Sequence, residues 1–272
     1  MKILVQDLHF TYPGNVQAIQ GISLEINPGE QVALVGQNGS GKTTLVRHFN
    51  GLLKPTAGTV LVGDWDTRQY SVAKLASRVG YVFQNPDEQL FCKTVYQEVG
   101  FGPRNLGYPE EKVDALIEKA LDLTELGNRK EINPYELSPT WRKMVAVASV
   151  IAMDTPVVIL DEPTTGQDAV SVQRLAVVIA ELRRQGKTVI TITHDIDFCA
   201  ENFERVIALS QGRILLDGPA AQVLGEEEIL ARTYVEPPQL TRLAKRLGIP
   251  RVVRNQEEFL EAYRGLLEAR RR

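Results

Sequence analysis

The chain has 272 residues, of which 43% are hydrophobic and 24% charged, and its formal net charge is −3. This length and apolar content suffice for one large or two modest domains with a real core. The slightly acidic balance argues against a general nucleic-acid-binding protein. Residues 241–272 nevertheless hold nine Lys/Arg and four Asp/Glu, a basic tail that is either a solvated helix face or a surface for a membrane or partner.

Nothing in the sequence predicts an exported or membrane-spanning chain. The start, MKILVQDLHF, turns polar within six residues, which is unlike a signal peptide. The longest mainly apolar run, 145–153, is far shorter than the roughly 20 residues of a membrane span. Cys92 and Cys199 are isolated and lack metal-ligand spacing, so we expect reduced, buried or half-buried thiols in a soluble chain.

Short apolar runs alternate with helical patterns over the first 220 residues. A helix is predicted over 42–53, and a hairpin with Gln-Gly at its turn over 205–218. Buried strands separated by helices predict a mostly parallel sheet with helices on both faces. The other predicted strands are 31–36, 58–64, 78–84, 155–163 and 187–195.

Residues 94–150 interrupt this alternation. They contain a helical stripe of apolar residues and no strand signal, which predicts a helical insertion between two core strands. After about residue 220 the pattern is helical again, in 237–248 and 255–272. The stripe consists of Val113, Leu116, Ile117, Ala120 and Leu121.

A glycine-rich turn follows the first of these strands. The run GQNGSGKTT fits G-x-x-x-x-G-K-[ST] and lies between a predicted strand and a predicted helix, as a phosphate-binding loop requires. Its glycines let successive N–H groups point at one anion, and the helix N-terminus adds its positive end. Lys42 is placed to reach the β- and γ-phosphates, and the Thr43 hydroxyl to hold Mg²⁺. The predicted nucleotide-binding residues are Gly36, Gln37, Asn38, Gly39, Ser40, Gly41, Lys42, Thr43 and Thr44.

Two adjacent carboxylates follow the apolar run 157–160. The strand delivers Asp161 to the sheet edge, where it can orient the water shell of Mg²⁺. Glu162 is expected to point to the opposite side of the backbone and to polarise an attacking water. The alternative is a solvated strand end without a catalytic role.

With both motifs in place, residues 1–220 resemble the ATP-binding subunits of ABC transporters. The resemblance implies ATP and Mg²⁺ as cofactors and ATP hydrolysis as the activity. It also implies roles for four further residues: Tyr12 stacks on adenine, Gln84 at a strand end touches Mg²⁺ and water, Asp168 in TTGQDAV crosses the dimer interface, and His194 in TITHD faces the γ-phosphate. Alone, His194 reads as an ordinary strand-end histidine, but its spacing after the Glu162 strand favours the catalytic role.

A closer likeness lies in YVFQNPDEQLF at 81–91 and PPQLTRLAKRLG at 237–248. Both resemble the ATPases of energy-coupling-factor importers, which take up vitamins or transition-metal ions. That resemblance implies two ATPases that clamp two ATPs head to tail, a transmembrane coupling subunit and a substrate-binding membrane subunit. The chain would then lie on the cytoplasmic face of the membrane, and the loop at 84–91 together with the insertion helices would form the groove for the coupling subunit's helices. A plain surface loop is the alternative.

The predicted fold class is therefore α/β. It comprises a P-loop, RecA-like core with a mostly parallel sheet, an antiparallel β N-terminal part, a helical subdomain and a small helical C-terminal domain. We place the ATPase domain at 1–220, its helical subdomain at about 90–150 and a C-terminal dimerisation domain at 221–272.

The segment ELSPTW departs from the family's pattern. The signature Leu-Ser-Gly-Gly-Gln grips the γ-phosphate on the other subunit, and this chain keeps Ser138 but has Pro139, Thr140 and Trp141 in place of Gly-Gly-Gln. Ser is a good N-cap and Pro is favoured at the first helical position, so a helix can still begin here. However, Pro139 removes a backbone donor and the two larger side chains obstruct close approach. Losing one charge-assisted phosphate contact costs about 1.5–3 kcal/mol, so Ser138 is expected to grip the partner's ATP weakly.

These observations favour a heterodimer, in which a partner with an intact signature completes this chain's own ATP site. A homodimer with two weak sites is the alternative. The function alternatives are an ATPase of another ABC transporter class, a soluble non-transport ABC ATPase and an ATP-dependent scaffold. The sequence does not specify the transported substrate.

Overall fold

The computed structural model describes residues 1–233 and 235–271, the side chains of 269–271 excepted, so Arg272 of the basic tail lies outside the described residues. The strands of this part are β1 (Ile3–Tyr12), β2 (Val16–Ile26), β3 (Gln31–Val35), β4 (Ala57–Val62), β5 (Trp65–Asp66), β6 (Val79–Val82), β7 (Val157–Asp161), β8 (Thr188–Ile192), β9 (Arg205–Ser210) and β10 (Arg213–Pro219). Its helices are α1 (Lys42–Phe49), α2 (Val72–Leu75), α3 (Val95–Asn105), α4 (Glu110–Leu123), α5 (Pro139–Ala152), α6 (Ala169–Arg184), α7 (Ile196–Asn202), α8 (Ala220–Val223), α9 (Glu227–Ala231), α10 (Gln239–Arg246) and α11 (Gln256–Arg271).

The strands form two sheets. The larger has the order β10-β9-β3-β8-β7-β6, in which all neighbours pair in parallel except β10 with β9. Strands β3, β7 and β8 are buried along their whole length because helices or the second sheet cover both faces. The smaller sheet is antiparallel, with the order β2-β1-β4-β5. The predicted α/β fold, with a mostly parallel core sheet and an antiparallel N-terminal part, is confirmed.

Two apolar layers hold the sheets and helices together. One layer joins the antiparallel sheet, α1 and one face of the parallel sheet, with Ile19, Phe49 and Val32 among its fully buried side chains. The other covers the opposite face with α5, α6 and the insertion helices. The helical stripe predicted in α4 faces this layer, with Val113, Ile117, Ala120 and Leu121 buried and Leu116 half-buried.

Three local boundaries are set by backbone geometry. Helix α1 ends at Phe49 rather than 53, because Gly51 takes a φ of 76° that no helix continues. Strand β6 ends at Val82, so Gln84 lies in the following loop and not at a strand end. The β9–β10 hairpin turns on Gln211 and Gly212 with φ of 47° and 73°, as a type I′ turn requires.

The C-terminal helices form a small apolar cluster of their own. Ala244, Ile249 and Val253 are buried against α11 residues that include Phe259 and Tyr263. The chain entering α10 is attached to the core where the Gln239 N–H donates to Asp197 Oδ1 at 2.8 Å. In the described part of the chain, no helix is long and apolar enough to cross a membrane.

Candidate functional site

The glycine-rich loop connects β3 to α1 and curls over the edge of the parallel sheet. Gly36 and Gly41 have φ of 141° and 104°. A Cβ at Gly36 would lie 2.2 Å from the Leu209 carbonyl oxygen, and one at Gly41 would lie 2.8 Å from the Ala18 carbonyl oxygen. Only glycine fits this path, because both the backbone angles and the space exclude a side chain. The loop delivers Gly41 to the N-cap of α1, and no side chain caps that end, so free N–H groups are available to an anion.

The Lys42 side chain folds back over this loop. Its Nζ donates to the carbonyl oxygens of Gly36 at 2.6 Å and Gln37 at 3.0 Å. The residue is 6% exposed. Burial lowers the pKa of its ammonium, while Glu162 and Asp161 oppose that shift. The ammonium therefore lies on the concave side of the loop, where predicted phosphate contacts would replace its bonds to backbone carbonyls.

Asp161 ends β7 beside this ammonium, with one carboxylate oxygen toward the loop. Its Oδ1 accepts from the Thr43 hydroxyl at 3.4 Å. Its Oδ2 accepts from the buried Tyr81 hydroxyl at 2.5 Å. Burial raises the pKa of Asp161, and the hydrogen bond from Tyr81 opposes the shift. The Thr43 hydroxyl and the Asp161 carboxylate are hard oxygen donors of the kind that Mg²⁺ accepts together with phosphate oxygens and water.

Glu162 is paired with the predicted catalytic histidine. Its Oε2 lies 2.7 Å from His194 Nδ1, and the carboxylate is 9% exposed whereas the imidazole is 65% exposed. Strand β7 ends at Asp161, and Glu162 has a φ of 48°. The sequence suggested that strand alternation sets the direction of the Glu162 side chain. In the structure, the left-handed backbone conformation of Glu162 sets it instead. His194 likewise lies beyond the end of β8 and not within it.

A groove joins these side chains. One part, of about 290 Å³, is lined by residues of the glycine-rich loop together with Tyr12, Gln84 and Glu162. A neighbouring part, of about 590 Å³, is lined by Gly36, Gln84, Glu162 and His194 among others. The Tyr12 hydroxyl lies 3.2 Å from Thr44 Oγ1, at one end of the groove. The exposed Gln84 borders both parts, as do Asn38 and Glu162, so the two parts adjoin at these residues.

The altered signature segment is not part of the lining of this groove. Ser138 is the exposed N-cap of α5 with Pro139 at the first helical position, as predicted, but its hydroxyl caps no backbone N–H. Trp141 lies between two guanidinium groups, with the Arg129 and Arg174 carbons 3.8 and 4.6 Å from its ring centroid. The indole therefore packs against these two side chains.

Asp168 has a structural part in this chain. Its Oδ1 accepts from the Ser171 N–H at 2.8 Å and caps α6. The hydrogen bonds to the Ser171 backbone and side chain hold the pKa of this exposed carboxyl below its ordinary value. Its role at a dimer interface stays a prediction.

Sequence reasoning missed Tyr81 and Lys143. Tyr81 is 7% exposed and bonded to Asp161. Lys143 is 2% exposed, and burial lowers its pKa to about 8, against the opposing effect of Asp161 and Glu162. The only sequence signal for Lys143 was a lysine that opens an otherwise apolar helical run. Tyr81 gave none, because a tyrosine in a buried strand is ordinary.

The arrangement combines a phosphate cradle, a pair of oxygen donors and a carboxylate–imidazole pair facing one groove. A nucleotide in this groove would place its phosphates on the loop, its metal between Thr43 and Asp161, and a water beside Glu162. Such an arrangement can position and polarise a water for attack on a phosphoryl group.

Comparison with known proteins agrees with this chemistry. Residues 19–165 match the ABC transporter family model. The energy-coupling factor transporter ATP-binding protein EcfA of Methanothermobacter thermautotrophicus is 38% identical over 248 residues, which cover 90% of this chain and 79% of the relative. The structure of cbiO1 from Clostridium perfringens, part of the ABC transporter complex cbiONQ, has a TM-score of 0.76 and 35% identity, covering 91% of this chain and 98% of that one.

The ATP-binding cassette MJ0796, in its dimeric structure with ADP and phosphate, has a TM-score of 0.73 and 26% identity, covering 80% of this chain and 98% of that one. Other relatives are longer than this chain. It spans 44%, 43% and 39% of the length of three curated relatives that it matches at 42–43% identity.

Proposed function

The chain belongs to the ABC transporter family of ATP-binding proteins, and on that premise we propose that it binds and hydrolyses ATP to energise a membrane importer of the energy-coupling-factor type. The observation that carries the proposal is the Glu162–His194 pair, 2.7 Å apart at the edge of the groove over the glycine-rich loop. Glu162 acts as the general base on water, and His194 holds that carboxylate and faces the γ-phosphate. Asp161, Thr43 and Gln84 would hold Mg²⁺, which would neutralise phosphate charge when bound.

The structure of the loop after Gln84 supports the proposal of a partner in the membrane. The buried Glu98 carboxylate fixes this loop by accepting from the N–H groups of Phe91 at 2.8 Å and Cys92 at 2.6 Å. The Phe91 and Phe101 rings pack edge to face at the surface, 60% and 46% exposed. A fixed loop with exposed aromatic rings is suited to an amphipathic helix of a transmembrane coupling subunit. The chain would thus lie peripherally on the cytoplasmic face of the membrane, in a complex that also holds a substrate-binding subunit.

The signature segment supports an asymmetric dimer. Pro139 occupies the first position of α5 and lacks an N–H, while Trp141 is held between Arg129 and Arg174. The γ-phosphate of a partner's ATP would contact the exposed Ser138. It would find fewer backbone N–H donors at Pro139 and Thr140 than at the Gly-Gly of the family signature. We therefore favour a second ABC ATPase with an intact signature as the partner, with residues 221–272 contributing to the dimer through exposed leucines such as Leu243 and Leu260.

The first test of this function is Glu162→Gln, with Glu111→Gln on the exposed face of α4 as a charge-matched control. Purified chain, alone and mixed with an equimolar related ATPase subunit, is assayed for ATP turnover and for ATP binding. A general base contributes about 10²- to 10⁴-fold, so Glu162→Gln should lower turnover by at least about 100-fold and leave ATP binding intact. Turnover equal to that of the control would remove Glu162 from its role, and an ATP-binding chain without turnover in any mixture would favour a scaffold.

Native mass measured on the same samples tests the asymmetric pair. A sluggish chain that becomes active as a one-to-one mixture supports the heterodimer. A vigorous homodimer would show that Ser138, Pro139 and Thr140 still hold a γ-phosphate.

A further inference from the structure

Lys143 is a buried ammonium that the proposed chemistry leaves without a task. Lys143 is the fifth residue of α5, and every residue of the helix from Lys143 to its end at Ala152 is buried. A charged group in such a place is costly unless its surroundings compensate it. Its contacts therefore indicate what the charge does.

Those contacts are with the loop that carries Gln84. Lys143 Nζ donates to the carbonyl oxygens of Phe83, at 3.3 Å, and Gln84. On the outer side of the helix, the neighbouring Arg142 bonds Asp87 of the same loop at 2.8 Å. One turn further along the helix, Gln89 Nε2 donates to the Ala146 carbonyl at 2.8 Å. Of these three attachments, Lys143 is the one made to the backbone of Gln84 itself.

The position of α5 gives this attachment its significance. Ser138, at the N-cap of α5, is five residues before Lys143, on the same rigid element. Gln84 borders the groove of the chain's own nucleotide site. A shift of the signature segment would therefore be transmitted through the Lys143 ammonium to Gln84.

We propose that Lys143 is a positioning residue, which holds the Gln84 backbone against α5 so that the Gln84 side chain stays over the groove, and which thereby connects the signature segment to the chain's own ATP site. This inference rests on the proposed ATPase function. It assigns a purpose to the second residue of the basic pair that follows the altered signature.

The test compares Lys143→Met and Lys143→Gln with Lys130→Met, which removes a lysine from an exposed pair with Glu118 in the same helical region. Hydrogen exchange of the amides at 83–90 is measured on the chain alone, which requires no nucleotide. ATP turnover and KM are measured in the assembly that hydrolyses ATP, and thermal unfolding is followed for every variant.

Lys143→Met should increase exchange at 83–90 and lower kcat, each by about 10- to 100-fold for the loss of charge-assisted hydrogen bonds, with KM for ATP unchanged. Lys143→Gln keeps an N–H donor without the charge and should fall between Lys143→Met and the unmodified chain. Exchange and kcat that match those of Lys130→Met overturn the proposal. Faster exchange with unchanged kcat also overturns it, because the contact would then be structural only. If no assembly hydrolyses ATP, the ATPase function fails, whereas the exchange measurement still tests the attachment.

Discussion

The hydrogen bond between Tyr81 and Asp161 can be tested by a substitution that changes a single atom. Tyr81→Phe removes one oxygen atom, keeps the ring in its buried position and leaves Asp161 Oδ2 without the donor that lies 2.5 Å away. Tyr81 is 7% exposed and Asp161 2% exposed, so water has little access to replace that donor. The substitution therefore removes the hydrogen bond to a buried carboxylate, together with the contact of the same hydroxyl with Arg47.

The expected loss of stability in Tyr81→Phe follows from the burial and the charge of Asp161. A hydrogen bond to a charged group contributes about 1.5–3 kcal/mol, and leaving the buried carboxylate underbonded places the expected loss in the free energy of unfolding within that range. For a chain of this size each kcal/mol shifts Tm by about 2–4 °C. The freed carboxylate should also rotate away from Thr43, so a larger Mg²⁺ concentration should be needed for half-maximal Mg²⁺-dependent binding of ATP.

Tyr96→Phe supplies a matched control. The Tyr96 hydroxyl also donates to a carboxylate, Asp114 Oδ1 at 2.6 Å, but that pair is exposed. Water can replace the hydroxyl at an exposed carboxylate, so the same one-atom change should cost no more than about 0.5–1.5 kcal/mol there and leave the Mg²⁺ requirement untouched. Denaturant unfolding and Mg²⁺ titration of ATP binding are measured for both variants.

Equal losses of stability in the two variants would refute the reasoning, because burial would then not decide the strength of the bond. An unchanged Mg²⁺ requirement in Tyr81→Phe, together with the expected loss of stability, would restrict Tyr81 to a structural role.

Three further outcomes are expected. Lys42→Ala should weaken ATP binding at this chain's own site by at least about 100-fold, since it removes charged contacts to both the β- and γ-phosphates, each contributing about 1.5–3 kcal/mol; unchanged affinity in a binding titration contradicts the loop assignment. Changing residues 139–141 to Gly-Gly-Gln should raise turnover in the assembled dimer, and an unchanged rate would mean that the second site is limited by something other than its signature. Burial raises the pKa of Glu30, but hydrogen bonds from Asn27 and Arg205 outweigh it and hold that pKa below its ordinary value. A lowered carboxyl pKa stabilises at neutral pH and ceases to do so as pH falls through the folded-state value. Arg205→Met, which removes the ion pairs with both Glu30 and Asp217, should therefore cost about 1 kcal/mol near pH 7 and less below about pH 4 in denaturant unfolding.

The sequence by itself determined the features whose chemistry is continuous along the chain. The glycine-rich loop, the apolar strand before Asp161 and the Gln211–Gly212 hairpin each need neighbouring residues with particular backbone angles, so a short run of letters specifies them. The alternation of buried strands with helices was sufficient to predict the fold class, because parallel neighbours require helical crossovers. The resemblance to ABC transporter ATPases was drawn from the glycine-rich loop and the strand before Asp161, and the closer likeness to the energy-coupling-factor type from residues 81–91 and 237–248. Both are confirmed by the family match and the relatives.

Tertiary structure alone decided which distant side chains meet. Tyr81 bonds Asp161 across 80 positions of the chain, and Lys143 reaches the carbonyl of Gln84 across 59. No local pattern marks these contacts, since each depends on how a strand or helix is rotated against its neighbour. Trp141 is a similar case, because its ring lies against two arginines from other segments, contacts that its position in the signature does not predict. Short runs of sequence determine local backbone conformation, whereas the packing of helices and strands determines which groups surround a charged side chain.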